Sequence, residues 1–158
     1  MTLAEQLLPK LGEWRPVAAG RHSLVATFPQ GWSVRLTADK ADELACLVWE
    51  FALTRSGDAP ANFTLNNWAE GVAKRATGLL EPLRVLEVDD ARGEALLRSD
   101  APSKRGEQVA YYEVRLFTAG RAELKRYAAS RTTSGRDQVA FALTHEVLTK
   151  LAGDVAGC

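Results

Sequence analysis

Apolar residues recur at two different periods along this chain, and the changes of period divide it into elements. In QVAYYEVRLF, from Gln108, the residues Tyr111, Tyr112, Val114, Leu116 and Phe117 are aromatic or branched and suit a pleated surface. Ala119-Gly120 then supplies a turn, and Leu124 and Tyr127 continue the pattern on the return run RAELKRYAAS. Glu113, Arg115, Lys125 and Arg126 stand among these apolar positions. Charges at period two predict an antiparallel hairpin with one partly wetted face.

After the hairpin the period lengthens. Val139, Ala140, Leu143, Val147 and Leu151, with Phe141 and Leu148 at the margins, fall at helical spacing. Ser134 followed three residues later by Asp137 resembles a capping box, so a helix is predicted from Ser134 towards Val155, fraying at Gly153 and Gly157. Sequential elements usually pack together, and the predicted helix lies across the sheet of the hairpin.

Upstream, Leu3, Leu7, Leu8 and Leu11 predict a short helix that tolerates Pro9 near an end and stops at Gly12. His22 to Phe28 and Trp32 to Thr37 read as strands about the turn Pro29-Gln30-Gly31, followed by a polar turn, DKADE. Leu44 to Leu53 alternates, with Leu47, Trp49, Phe51 and Leu53 on one side, and is predicted as a strand. A helix capped by Asn62 or Thr64 carries Leu65, Trp68, Ala69, Val72, Ala76 and Leu79 on its apolar stripe. LRVLEVD and GEALLRS follow as strands, and APSKRGEQ reads as a mobile turn.

The order α-βββ-α-ββββ-α predicts an α+β fold, an antiparallel sheet of about six or seven strands flanked by helices on both sides. No linker or repeat divides it, so residues 1–158 read as one domain, with 1–21 an N-terminal helix and connector. Trp32, Leu47, Phe51, Trp68, Leu116, Leu143, Val147 and Leu151 are the expected core.

Composition narrows the function. The 158 residues are 46% hydrophobic and 25% charged, ordinary for a globular chain with room for a core. Lys plus Arg equals Asp plus Glu at 20 each, a formal net charge of zero, so the overall field gives no reason to expect nucleic acid or an acidic membrane as partner. MTLAEQLLPKLGEW has no basic n-region or long apolar run, so no signal peptide is read and the expected compartment is the cytoplasm. Cys46 lies in an apolar run and Cys158 is the last residue, which predicts reduced thiols and neither a zinc site nor a disulfide framework.

The order of elements, together with FPQGW at Phe28 to Trp32, the mid-chain FTLNNWAEGVAKRA and the closing hairpin and helix, resembles the PsbP-like family, which includes DcrB-like bacterial proteins. The resemblance spans roughly Ser23 to Asp154 and implies an α/β sandwich. It brings no common catalytic motif. It implies a binding, assembly or chaperone role, and its dimeric relatives make a homodimer an expectation.

Candidate chemistry is sparse. His145-Glu146 begins a zinc-helix pattern, but Thr149 stands where the second histidine belongs, and His22 alone does not complete a ligand set. Cys46, in an apolar strand, is expected to be inert, and no GxSxG elbow or phosphate cradle occurs. The tryptophans Trp14, Trp32, Trp49 and Trp68 read as packing anchors. Arg35, Glu50, Glu113, Arg115 and Arg126 are less easily absorbed, because all sit on predicted strands. They are either cross-strand ion pairs on a solvated face or, beside Trp49, Tyr111 and Tyr127, a recognition surface.

The sequence therefore predicts a non-catalytic protein-binding or chaperone-like domain without cofactor or metal. Its candidate partner-binding residues are Arg35, Tyr111, Glu113, Arg115, Arg126 and Tyr127, and its expected partner is a protein or peptide. A small-molecule-binding protein or small enzyme with a pocket under the sheet is the alternative reading.

Overall fold

The computed structural model describes residues 1–157. Cys158, and with it the reading of its thiol, lies outside the described residues. Among the described residues, three helices, α1 (Leu3–Glu13), α2 (Leu65–Arg75) and α3 (His145–Ala156), accompany ten strands. These are β1 (His22–Phe28), β2 (Trp32–Ala41), β3 (Ala45–Arg55), β4 (Leu83–Asp89), β5 (Glu94–Ser99), β6 (Ser103–Arg105), β7 (Gln108–Phe117), β8 (Arg121–Ser130), β9 (Asp137–Val139) and β10 (Phe141–Thr144). All strand pairs are antiparallel. Seven of them form a continuous path in the order β1-β2-β3-β8-β7-β5-β4, and the short β6, β9 and β10 pair onto it, so the sheet exceeds the expected six or seven strands.

Register turns the alternation of each strand into two faces. Leu24, Leu36, Phe51, Leu124, Val114, Leu97 and Val85 are successive cross-strand partners and form one apolar row across the whole path. Leu3, Leu7 and Leu11 of α1, Trp68 and Val72 of α2, and Leu148, Leu151 and Val155 of α3 join the same buried cluster. All three helices thus cover one face. The expectation of helices on both sides fails because the opposite row, Val25, Arg35, Ala52, Glu123, Arg115, Leu96 and Glu87, is too charged to receive one.

Several boundaries differ from those read in the sequence. β2 runs past Thr37 to Ala41, and the turn is Asp42 to Leu44, where Asp42 Oδ1 accepts from the N–H groups of Leu44 and Ala45. Along β3, Glu50 pairs with Thr37 and Val48 with Ala38, which leaves Trp49 as an extra, bulged residue. The bulge flips the phase: Phe51 and Leu53 reach the core as predicted, but Cys46 and Val48 replace Leu47 there. α1 continues through Gly12 with Pro9 inside it, opened by a reciprocal capping box between Thr2 and Glu5. Thr64, not Asn62, caps α2, and Leu79 lies beyond its end. The supposed mobile turn at APSKRGEQ is a short hairpin of β6 on β7 about Gly106.

The largest correction concerns Ser134 to Thr144, which is not helical. β3 and β8 pair only through Phe51–Thr54 and Arg121–Leu124, then diverge. β9 pairs the exposed edge of β8 and β10 that of β3. Because β3 and β8 are themselves antiparallel, the chain must reverse at Ala140 to do both. Phe141 and Leu143 are buried while Ala142 and Thr144 are exposed, a period of two inside a segment that also satisfies a helical period. Backbone groups on the opened strand edges are satisfied by this insertion. α3 starts at His145, with Thr144 Oγ1 accepting from Val147 N at 3.2 Å. Its buried stripe is Leu148, Leu151, Ala152 and Val155, with Val147 only half-buried.

Candidate partner-binding face

The uncovered face of β5, β7 and β8 carries a dense group of strand-borne charges, Arg98, Glu113, Arg115, Arg121, Glu123 and Lys125. Lys125, Glu113, Arg98 and Arg84 are consecutive cross-strand partners, two residues along from the row containing Arg115 and Glu123 and so on the same face. Tyr111 and Tyr127 are directly opposite each other, with ring centroids 6.1 Å apart. Arg35 is exposed on β2 beside Val25 and Ala52, and no ion pair engages it among the described residues.

At the centre sits Glu113, whose side chain is only 2% exposed although it belongs to the open face. Arg98 Nε donates to Glu113 Oε1 at 2.9 Å, and Arg136 Nη1 and Nη2 donate to its two oxygens at 2.9 and 3.3 Å. Arg115 Nε stands 3.6 Å away. The guanidinium of Arg136 also lies 3.7 Å above the Tyr127 ring and donates to Tyr111 Oη, while that of Arg98 lies 5.3 Å from the Tyr111 ring. Burial works against charge on Glu113, but the hydrogen bonds from Arg136 and Arg98 outweigh it and hold the carboxyl below its ordinary value. Those same bonds raise the guanidinium of Arg136 above its already high value.

The result is a lopsided cluster. Three positive groups meet one negative group, and the Arg98, Arg115 and Arg136 side chains are 37, 43 and 31% exposed while the carboxylate lies beneath them. Elsewhere on the face the charges pair among themselves: Lys125 with Glu50 at 3.3 Å and Arg121 with Glu123 at 2.7 Å. Trp49, bulged towards this side, carries Arg21 at 3.5 Å over its ring, and its carbonyl accepts from Gln138 Nε2 at 2.9 Å.

Of the six residues singled out in the sequence, the structure brings Tyr111, Glu113, Arg115 and Tyr127 together and leaves Arg35 on the same face further along the sheet. Arg126 is elsewhere. It projects from the core face of β8, is buried, and forms a two-point bond with Glu81 at 2.8 and 3.0 Å. Ser99 and Ser103 also donate to Glu81, and the Arg126 guanidinium lies 4.2 Å from the Tyr112 ring. Two residues of the cluster escaped the sequence reading. Arg98 shares the phase of Leu96 on β5 and was legible as an outward charge, whereas Arg136 was hidden by the misassigned helix.

Three further titratable candidates, Cys46, His145 and His22, lie apart from this face. Cys46 is buried, and desolvation, reinforced by Asp42, pushes its thiol up to about 11, far from a reactive thiolate. His145 is 4% exposed, its Nε2 has no hydrogen-bond partner among the described residues, and burial together with Arg15 lowers its pKa. His22 Nε2 lies 2.9 Å from the Ala18 carbonyl. Among the described residues no group of three His, Cys, Asp or Glu side chains is placed to hold a metal, and no helix is long and apolar enough to cross a membrane. A cleft of about 490 Å³ does open under the sheet beside Tyr112 and Arg126, but both terminal nitrogens of Arg126 are already engaged by Glu81.

No family model, curated protein or solved structure matches the chain.

Proposed function

We propose that this chain is a non-catalytic binding domain whose open sheet face receives an acidic segment of a protein partner. The observation that carries the reading is the convergence of Arg98, Arg115 and Arg136 on the single buried carboxylate of Glu113. The unbalanced positive charge is held in fixed positions, flanked by the neighbouring rings of Tyr111 and Tyr127, on the face opposite the three helices. Arg and Tyr are the side chains that dominate protein interfaces, and guanidiniums already oriented by a buried acid lose little freedom on meeting a second carboxylate. The cross-strand pairs further along the face contribute little to stability and set the rim. A chaperone-like or assembly role of the PsbP-like kind agrees with this surface.

The test is affinity capture of the tagged chain from its own cells, compared with Arg98→Ala and Arg115→Ala variants of unchanged melting temperature. A protein that binds the unaltered chain, is lost from both variants and elutes with moderate salt supports the proposal. Equal capture by all three chains removes it, and recovery of the chain itself through the same residues replaces it by a homodimer.

A further inference from the structure

We infer that the free edge of β1 pairs with β1 of a second copy of this chain, antiparallel and centred on Val25, so that the two sheets join into one.

β1 and β4 end the continuous path of the sheet, and the two edges differ. β4 has features that keep an open edge from pairing: Arg84, Glu87 and Asp89 along it, and a bulge that leaves Leu86 without a cross-strand partner. β1 has none of them. Its sequence, HSLVATF, contains no Lys, Arg, Asp, Glu, Pro or Gly, and its register with β2 runs unbroken from His22 opposite Ala38 to Phe28 opposite Trp32. Val25, at its middle, is 60% exposed, the most exposed large apolar side chain within a strand among the described residues.

The turn after β1 fixes which of its backbone groups are free. The Phe28 carbonyl accepts from Gly31 N at 3.0 Å, and Phe28 lies opposite Trp32, so the backbone groups of Phe28 point to β2. Backbone direction alternates along an antiparallel strand, so Leu24 and Ala26 also bond towards β2 while Ser23, Val25 and Thr27 present their N–H and C=O groups outward. Among the described residues no strand pairs with this side of β1 and no turn or loop backbone bonds to those groups.

The match of this edge to itself selects a second copy over an unrelated strand. In a two-fold pairing, if one residue meets another, the second meets the first. Centred on Val25, the pairing covers β1 over its full length and sets Val25 against Val25, Ser23 against Thr27 and Leu24 against Ala26. Hydroxyl meets hydroxyl on the open face, apolar meets apolar on the core face, and no charge faces a like charge. Ser23, Val25 and Thr27, whose backbone groups are free, become the hydrogen-bonded pairs of this register, which makes about six new backbone bonds. The apolar row that ends at the half-buried Leu24 continues through Ala26 of the second copy. Moving the register by one residue would set Leu24 against Val25 and turn the core face of one copy to the open face of the other.

Sedimentation of the full chain from about 1 µM to 0.5 mM tests the pairing. A mass rising from the monomer towards twice its value, half complete near about 0.1 mM, is expected of so small an interface. Val25→Lys and Val25→Glu alter an exposed side chain and should keep the melting temperature, yet each should weaken association at least about tenfold because like charges meet at the two-fold axis. An equimolar mixture of the two should restore it. Leu86→Lys on the other edge and Arg98→Ala at the Glu113 cluster should leave association unchanged. In the unaltered chain, hydrogen exchange at the amides of Ser23, Val25 and Thr27 should slow as concentration rises, so a variant that fails to fold leaves the test intact. A chain that stays monomeric throughout, whose edge is then free for a strand of another protein, overturns the inference. So does a dimer that forms without slowing these three amides, that survives Val25→Lys, or that the mixture of charged variants fails to restore.

Discussion

Arg126 and Glu81 meet through two parallel hydrogen bonds beneath the sheet, 2.8 and 3.0 Å long, with both side chains less than a tenth exposed. The bond fastens the loop between α2 and β4 to the central hairpin, and Ser99, itself bonded by Tyr112 N, extends it to β5 and β7. An exposed strand-borne charge is expendable for stability, but Arg126 projects from the core face and is buried.

Arg126→Ala should destabilise the chain by about 3 to 5 kcal/mol, because it leaves the Glu81 carboxylate buried and unpaired. Arg115→Ala, on the exposed side of the same hairpin, should change stability by less than about 0.5 kcal/mol. Urea denaturation of the two variants checks both figures, and equal midpoints would show that Arg126 is not buried as described.

Acid should lower the stability of the chain over two separate pH ranges. His145 has a lowered folded pKa, so its unfolded form takes up a proton first, and stability falls as the pH drops below about 6.5. For Glu81 and Glu113, burial opposes ionisation, but the bonds from Arg126 and from Arg136 and Arg98 outweigh it and leave both folded pKa values below the ordinary one. Their contribution is complete above the unfolded carboxylate pKa and is lost as the pH falls through the depressed folded values. His145→Gln should remove the first stage of a melting-temperature profile against pH, and Glu113→Gln should reduce the second.

The start of α3 can be tested by its cap. Thr144→Ala should cost about 1 kcal/mol, since the hydroxyl holds Val147 N, whereas Ser134→Ala should be near neutral. Thermal melts of the pair decide between a helix beginning at His145 and one beginning at Ser134.

The bulge at Trp49 makes a further contrast. Phe51→Ala should cost about 3 to 5 kcal/mol, a buried aromatic lost from the central apolar row, while Leu47→Ala, half-buried on the other phase, should cost well under half as much. A strand of unbroken alternation would make the two comparable in denaturant.

Local patterns were legible where one period dominated. Tyr112, Val114 and Leu116 against Leu124 specify the hairpin, and Leu65, Trp68, Ala69 and Val72 specify α2, from spacing alone. Val139 to Leu151 fits both periods, and what decides between them is the divergence of β3 from β8, a long-range event with no local signature. The site follows the same division. Tyr111, Glu113 and Arg115 lie on one regular strand and could be gathered by alternation, but Arg126 required knowing which face the helices take. Arg136 reaches Glu113 only because its segment is extended.

The most direct test of a partner-binding face is to place a photo-crosslinking residue at Tyr111, and separately at Glu70 on the exposed side of α2, and to map the adducts formed in cells by mass spectrometry. The account predicts adducts from position 111 to an acidic segment of a protein, reduced by Arg98→Ala, and none to the same protein from position 70. Adducts confined to position 70, or position 111 linked only to nucleic acid, would contradict it.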